Sequence, residues 1–180
     1  MTNTIDTTLL DLGSRIRDAA VVNEPYMLAN GAQLQSYLDG YRIASDPSLL
    51  SDVCQAMASC LPKDAVAVAG IAMGGVPLAV GISLLVGVEG LFIRKLPKPY
   101  GRFSRVEGVL KRSGGVVAID DVIRSGTQML AAITALRASG LRVVGASCVL
   151  ERRGPGRSVL KGAGVPLMAL FSEETLSVRS

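Results

Sequence analysis

The chain has 180 residues, of which 49% are apolar but only 4% are aromatic, so its core must be largely aliphatic. This length allows one domain with a sizeable core. Histidine is absent, which excludes histidine triads, imidazole acid–base catalysis and most zinc sites. The net charge of +4 is too small to indicate nucleic-acid binding by itself.

The cysteines and the apolar runs predict the compartment. Cys54, Cys60 and Cys148 are odd in number and lack a close pair, which is typical of reduced packing residues. Residues 1–11 lack the basic and apolar regions of a signal peptide. The longest apolar run, residues 76–88, contains glycine and proline and is too short to span a bilayer. We therefore expect a cytoplasmic protein without a membrane partner.

The first part of the chain predicts a helix, a small flap and a second helix. Apolar residues at helical spacing predict a helix over residues 8–20. Residues 26–28 and 36–42 are predicted as short strands around the turn at Asn30-Gly31. Asp46-Pro47 then predicts a helix start, with a capping carboxylate and proline in the first turn.

From residue 65 onward, strand and helix patterns alternate, which is typical of an α/β protein with a parallel sheet. Ligands of such sheets bind beyond the carboxyl ends of the strands. The loops of interest therefore begin near Gly70, Arg94, Asp120 and Glu151. The predicted strands are 65–69, 91–94, 116–119, 143–150 and 167–171, the predicted helices are 76–85 and 128–139, and 70–75 is predicted as a loop.

The most informative segment joins the strand at 116–119 to the helix at 128–139. Asp120 and Asp121 follow the strand and are suited to accept hydrogen bonds from the vicinal hydroxyls of a ribose. Ser125, Gly126 and Thr127 lie at a helix N-terminus, where unpaired N–H groups bind phosphate. We interpret the segment as a sugar-phosphate site, with an acidic helix cap as the alternative. The phosphate motifs of nucleoside triphosphatases and dinucleotide enzymes are absent.

Residues 94–112 form a second candidate element. They contain seven basic residues and one acid, Glu107. Cations of this kind stabilise the negative charge that develops on a departing anionic group. Pro97, Pro99 and Gly101 indicate a surface loop that closes over a substrate and excludes water. The alternatives are a solvated basic face and a nucleic-acid patch.

These two segments carry a resemblance to a known family. Residues 120–127 resemble the signature of type I phosphoribosyltransferases, which bind phosphoribosyl pyrophosphate (PRPP) with Mg²⁺. Residues 94–101, followed by Val106-Glu107-Gly108, are similar to the mobile catalytic loop of orotate phosphoribosyltransferases. The resemblance extends from about residue 27 to residue 153. It implies a pentosyltransferase that transfers phosphoribosyl from PRPP to orotate in pyrimidine nucleotide biosynthesis.

The resemblance also implies an architecture. The expected fold is α/β and type I phosphoribosyltransferase-like, with a central, mostly parallel sheet flanked by helices. Residues 1–180 are expected to form one domain, in which residues 20–45 contribute a small N-terminal hood over the base. The working form is expected to be a homodimer, because Lys98 of the family loop reaches into the partner's site. Mg²⁺ is expected to be held mainly by substrate and water, so no protein ligand is predicted.

The residues assigned to the site follow from both arguments. Lys98 and the two aspartates are the expected catalytic residues. Arg152, from the acid-arginine pair after the strand at 143–150, is expected to bind orotate, together with Tyr37 and Arg124. The glycine-rich residues 70–77 match the family's pyrophosphate loop in position, although a tight turn explains them equally well. The residues expected to bind PRPP are Arg94, Lys95, Lys98, Tyr100, Asp120, Asp121, Val122, Ile123, Arg124, Ser125, Gly126, Thr127 and Gln128.

The sequence departs from the family pattern at the base end. Ala29 stands where the family has a lysine, Leu38 replaces one of two aromatic residues, and Arg124 replaces a threonine. Arg124 is therefore a candidate to supply the charge missing at Ala29. Two alternatives stay open. One is the same fold acting on another base, and the other is a PRPP-sensing regulator that binds nucleic acid through residues 94–112.

Overall fold

The computed structural model describes residues 3–27, 31, 33–96 and 105–176, with side chains from residue 8 onward in those ranges. The helices in this part are α1 (Asn3–Ala20), α2 (Gly40–Ser45), α3 (Pro47–Ser59), α4 (Gly75–Val86), α5 (Thr127–Ala138) and α6 (Gly156–Gly162). The strands are β1 (Val21–Val22), β2 (Tyr26–Met27), β3 (Gln33–Leu34), β4 (Tyr37–Leu38), β5 (Ala65–Ile71), β6 (Glu89–Ile93), β7 (Val106–Glu107), β8 (Gly115–Ile123), β9 (Arg142–Glu151) and β10 (Leu167–Ser172).

The main sheet confirms the predicted α/β architecture. Within the described residues it has six strands in the order β10-β9-β8-β5-β6-β7. All neighbouring pairs are parallel except β6 and β7, which are antiparallel. Because β8 lies in the interior of the sheet, between β5 and β9, its carboxyl end opens between two neighbouring strand ends. This is where α/β folds bind ligands.

Alternating side chains of the central strands face two helical layers. Val68 and Val117 pack with α1, α3 and α4 on one face. Ala67 and Ala118 pack with α5 and α6 on the other face. Both faces are therefore covered, which explains why the central strands are continuous apolar runs rather than alternating patterns. None of the helices in the described ranges is long and apolar enough to cross a membrane.

Several local predictions hold and their physical causes are visible. Asp46 caps α3, because its carboxylate accepts hydrogen bonds from the N–H groups of Ser48 at 2.9 Å and Leu49 at 3.1 Å. Pro47 occupies the first position of that helix, as predicted. Strand β8 runs four residues further than expected, so the two aspartates and Val122 and Ile123 belong to the strand itself.

The prediction of a strand over residues 36–42 is wrong for most of its length. Tyr37 and Leu38 pair with Val22 and Val21 of β1. The chain then turns into α2, because the side chain of Asp39 accepts a hydrogen bond from the N–H of Tyr41 at 3.0 Å and caps a helix. Helix α6 (Gly156–Gly162) and strand β7 (Val106–Glu107) were not predicted.

Candidate active site

A cavity of roughly 290 Å³ lies at the carboxyl end of β8 and the N-terminus of α5. It brings most of the predicted PRPP residues together on one short stretch of chain. Thr127 begins α5 but does not line the cavity. The lining residues are Asp120, Asp121, Val122, Ile123, Arg124, Ser125, Gly126, Gln128 and Met129.

The two aspartates, here called the acidic pair, have different surroundings. Asp120 is buried, with 5% of its surface exposed. Its Oδ1 accepts a hydrogen bond from the N–H of Asp121 at 3.1 Å, and its Oδ2 accepts one from Nε2 of Gln128 at 3.3 Å. Burial raises the pKa of the Asp120 carboxyl well above its usual range, and the charge of Asp121 raises it further. A polar or cationic ligand beside the pair would offset that cost.

The carboxylate of Asp121 lies in a narrow gap between two glycines. Its Oδ1 accepts a hydrogen bond from the N–H of Val122 at 2.8 Å. A Cβ atom built on Gly40 or on Gly74 would overlap the Asp121 carboxylate. Gly40 begins α2 and Gly74 precedes α4, so both positions must lack a side chain for the acidic pair to keep this geometry.

The turn between β5 and α4 therefore borders the site, as its position in the sequence predicted. A Cβ atom on Gly75 would overlap the carbonyl oxygen of Ile119, so the turn packs directly on the end of β8. The Ala72–Met73 peptide bond in this turn is cis. Main-chain N–H groups at the start of α4, a twelve-residue helix, face the same edge and favour an anion.

Residues 124–128, here called the phosphate loop, are shaped for an anion. Gly126 has φ of +76°, a conformation that glycine adopts readily and other residues rarely do. It is the N-cap of α5 and has no side chain to accept the first N–H groups of the helix. The N–H of Thr127 donates to Oγ of Ser125 at 3.3 Å, which holds that hydroxyl at the helix start. An incoming phosphate can take the remaining donors.

Behind the phosphate loop lies a support that the sequence did not predict. The N–H of Gly156 donates to the carbonyl oxygen of Arg124 at 2.9 Å. A Cβ atom on Gly126 would lie 2.9 Å from Cα of Gly156, and one on Gly154 would lie 2.6 Å from the Arg124 carbonyl oxygen. Both distances are too short for real atoms, so only glycines fit where the two turns meet. The Gly154-Pro155-Gly156 sequence was the available signal.

The basic residues of the 94–112 segment are only partly described. Lys95 is near enough to Asp120 to lower the pKa of that carboxyl, against the larger effect of burial. Nη1 of Arg94 lies 3.8 Å from Oε1 of Glu107. The main-chain N–H of Arg94 donates to the carbonyl oxygen of Arg105 at 2.8 Å. Lys98 and Tyr100 lie outside the described residues, as does Ala29.

At the predicted base end, Tyr37 and Arg152 are engaged with other protein groups. The ring of Tyr37 lies 4.7 Å from that of Tyr26, at an interplanar angle of 37°. Nε of Arg152 donates to Oε1 of Glu173 at 2.5 Å, and Nη1 donates to the carbonyl oxygen of Ser36 at 2.8 Å. Neither Tyr37 nor Arg152 lines the cavity. Glu173 was missed by sequence analysis, because nothing in its local pattern distinguishes it from a surface acid.

Comparison with known proteins agrees with this geometry. A model of the phosphoribosyl transferase domain matches residues 48–163. A relative from Halobacterium salinarum named orotate phosphoribosyltransferase is 36% identical over 167 residues, which cover 92% of this chain and 95% of the relative. The chain belongs to the orotate phosphoribosyltransferase family. This confirms the resemblance and the predicted enzyme class, a pentosyltransferase.

Solved structures of the orotate phosphoribosyltransferase family share the fold. The enzyme from Aeropyrum pernix superposes with a TM-score of 0.79 at 28% identity, covering 93% of this chain and 95% of that one. The Mycobacterium tuberculosis enzyme in complex with PRPP has a TM-score of 0.79 at 21% identity, covering 95% and 99%. At that identity the second likeness supports the fold alone, and the type I fold prediction is confirmed.

Proposed function

We propose that this protein transfers the phosphoribosyl group of PRPP to orotate, giving orotidine 5′-monophosphate and pyrophosphate. The observation that carries the proposal is that one cavity holds an acidic pair beside a helix N-terminus whose N-cap residue, Gly126, has no side chain. That arrangement matches a ribose with its hydroxyls at one end and its 5′-phosphate at the other. The named relatives extend the proposal to orotate and to pyrimidine nucleotide biosynthesis.

In the proposed reaction the bond from C1 of the ribose to the pyrophosphate oxygen breaks, and a bond from C1 to a ring nitrogen of orotate forms. Positive charge develops on the ribose ring in a transition state that resembles an oxocarbenium ion. Asp120 and Asp121 accept hydrogen bonds from the ribose hydroxyls and stabilise this charge. Burial of Asp120 supports the role, because a carboxylate acts more strongly where water is excluded.

At the phosphate end, Ser125, Gly126, Thr127 and Gln128 are proposed to surround the 5′-phosphate with hydroxyl and main-chain donors. Val122 and Ile123 bring the chain into the cavity just before them. Arg124 adds a guanidinium to this group, and its charge favours a dianionic phosphate. The fixed loop conformation at Gly126 means that little reorganisation is needed on binding.

At the pyrophosphate end, Arg94 and Lys95 are proposed to act together with the turn before α4. Lys98 and Tyr100 are proposed on the resemblance alone. Mg²⁺ fits this donor set, since hard carboxylate oxygens border the cavity. The described residues contain no group of three or more acidic or cysteine side chains able to hold a metal alone, so substrate oxygens and water would complete its ligands, with the acidic pair nearby. When bound, Mg²⁺ would supply positive charge beside the pyrophosphate.

The base end supports a second candidate, transfer to a base other than orotate. Arg152, Tyr37 and Arg124 are proposed to meet the base. However, Glu173 lies against Arg152 and cancels much of the charge that an orotate carboxylate would require. Ala29 also replaces the family lysine.

A PRPP-sensing regulator that binds nucleic acid gains no comparable support. Two arginines of the basic stretch have acidic neighbours: Arg94 lies beside Glu107, and Arg112 lies beside Glu89.

The test is a direct assay with purified protein, Mg²⁺ and PRPP, in which orotate, uracil and other bases compete. We expect orotate consumption and pyrophosphate release in equal amounts. Asp121→Asn should lower turnover about 10²-fold or more, since it removes one electrostatic contact to the transition state. Asp64→Asn, in an exposed ion pair with Arg142, is the control and should leave turnover unchanged. Equal activity of the two variants would contradict the assigned roles, and preference for another base would select the second candidate.

We also propose a homodimer in which Lys98 completes the partner's site. An exposed apolar face on the molecule supports this: Met73 lies in the turn beside the acidic pair, and Val80 and Leu84 continue the face along α4. Leu84 is 81% exposed, and together with Met73 and Val80 it adds to an exposed apolar face of the kind that marks interaction surfaces. Mixing inactive Lys98→Ala and Asp121→Asn proteins should restore activity at about one quarter of the sites, by random exchange of subunits. No recovery would contradict the shared loop.

Residues 1–180 are proposed to act as one phosphoribosyltransferase domain, with residues 20–45 as the hood over the base. The short strand pairs of this region, β1 with β4 and β2 with β3, support a small appended layer. The cytoplasmic location stays a prediction of the sequence.

A further inference from the structure

Three distant segments of the chain meet at the guanidinium of Arg152. Arg152 directly follows β9, Ser36 lies in the hood, and Glu173 directly follows β10. Nε of Arg152 donates to the Glu173 carboxylate at 2.5 Å, and Nη1 donates to the Ser36 carbonyl oxygen at 2.8 Å. The side chains of Arg152 and Glu173 are only 3% and 5% exposed. We name these three residues the hood clasp.

The strand pairings of the hood join hood segments to one another, so they do not orient the hood on the main sheet. Strands β1 and β4 pair through two residues each, and so do β2 and β3. Leu34 and Leu38 supply buried apolar contacts, but such contacts are not directional. A charge-assisted hydrogen bond to a main-chain carbonyl sets both distance and direction. The clasp therefore constrains the hood backbone at Ser36, next to Tyr37.

Arg152 also connects the hood to the phosphate loop. Its own N–H donates to the carbonyl oxygen of Ile123 at 2.8 Å, one residue before Arg124. Arg152 thus bonds to the end of β8 through its main chain and to the hood through its side chain. Glu173 accepts a hydrogen bond from that same side chain. A buried ion pair is a weak source of net stability, because desolvation offsets the attraction. Its position between two parts of the site indicates a geometric role.

We propose that Glu173 is a positioning residue for the acceptor base. It holds the Arg152 guanidinium in the orientation that fixes the Ser36 carbonyl, and through it places the hood and Tyr37 over the base. This inference rests on the proposed function, because the base end of the site is defined by that function. It predicts that loss of the Glu173 charge raises the KM of the base more than the KM of PRPP.

The experiment compares Glu173→Gln with a matched control, Glu174→Gln. Glu174 is the next residue, and its exposed carboxylate lies 2.9 Å from the guanidinium of Arg153. Glutamine preserves the size of the side chain and removes its charge. We expect Glu173→Gln to raise the KM of the base about tenfold or more, and to leave the KM of PRPP within about twofold. Glu174→Gln should change neither constant.

Hydrogen exchange of the unliganded proteins gives a readout that does not depend on activity. Glu173→Gln should speed exchange in peptides covering residues 33–38, while exchange in β5 and α3 stays unchanged. If the wild-type protein turns over no base, the proposed function fails, and exchange still tests the clasp. Equal rises of both KM values, or unchanged exchange at residues 33–38, would overturn the inference. Should Glu173→Gln not fold, Glu173→Asp, which keeps the charge and shortens its reach, is measured in the same way.

Discussion

Asp120→Asn is expected to weaken catalysis and, at the same time, to stabilise the unliganded protein. The Asp120 carboxylate is buried beside a second carboxylate, and both features raise its pKa. The ionised form of Asp120 therefore costs more free energy in the folded protein than in the unfolded chain. Asparagine has nearly the same shape and no charge, so it removes this cost. Its amide oxygen still accepts the N–H of Asp121, and the Gln128 amide can rotate to present its oxygen.

The sign of the pH dependence follows from the raised pKa. An aspartate in an unfolded chain titrates near pH 3.9. Between that pH and the higher pKa of the folded protein, the folded state keeps a proton that the unfolded state has released. The free energy of unfolding therefore falls as the pH rises through this window. The stabilising effect of Asp120→Asn should be absent near pH 4 and should reach its full size above the pKa of the folded protein.

The size of the expected gain in stability follows from the two hydrogen bonds that the Asp120 carboxylate accepts in place of water. They measure 3.1 and 3.3 Å, so the buried carboxylate is only partly compensated. Incomplete compensation of a buried polar group costs about 1–3 kcal/mol. For a chain of this length, each kcal/mol corresponds to about 2–4 °C in Tm. We therefore expect Tm to rise by several degrees at neutral pH, with turnover about 10²-fold lower.

Thermal unfolding over a pH series, without ligand, measures this directly. Asp18→Asn is the control, because it makes the same charge change on a side chain that is 77% exposed. It should show little effect at any pH. A Tm gain that is equal at pH 4 and at neutral pH, or a loss of stability at neutral pH, would refute the reasoning.

Two glycine substitutions test the packing around the site. Gly156→Ala places a Cβ 2.7 Å from the Arg124 carbonyl oxygen and should raise the KM of PRPP about tenfold, whereas Gly162→Ala, with open space in the same helix, should not. Gly74→Ala should displace the Asp121 carboxylate and lower kcat/KM about tenfold or more, measured with PRPP varied. Unchanged constants in either glycine variant would contradict the proposed packing.

The part of the candidate site whose clustering could be predicted from the sequence is local. Asp120, Asp121 and the phosphate loop lie on one continuous stretch of chain, so the pattern of a buried strand, small residues and a helix places them together. The cap at Asp46 was predicted for the same reason, since a capping side chain bonds to main-chain groups two and three residues away. Beyond this local stretch, a parallel sheet predicts only that the carboxyl ends of neighbouring strands lie close together.

The elements that were missed depend on contacts between segments. Residues 36–42 were predicted as a strand, yet Asp39 caps a helix there, and Gly40 leaves room for the Asp121 carboxylate, 81 positions later in the sequence. Helix α6 is only seven residues long and begins after Gly154-Pro155, which in isolation indicates a turn. The start of this helix packs behind the phosphate loop, and that contact follows from the pairing of β8 with β9, which a local pattern does not show.

Arg152 shows why the base end is the hardest part to predict. Its place after β9 follows from the strand pattern, but its partners lie 21 and 116 positions away in the sequence. The Glu151-Arg152 pair in the sequence predicts that Arg152 offers its positive charge to a substrate carboxylate. In the structure the net charge around the Arg152 guanidinium also depends on Glu173, which lies against it. Base preference should therefore respond to Glu173, which does not line the cavity, more strongly than to Arg153, whose guanidinium is exposed.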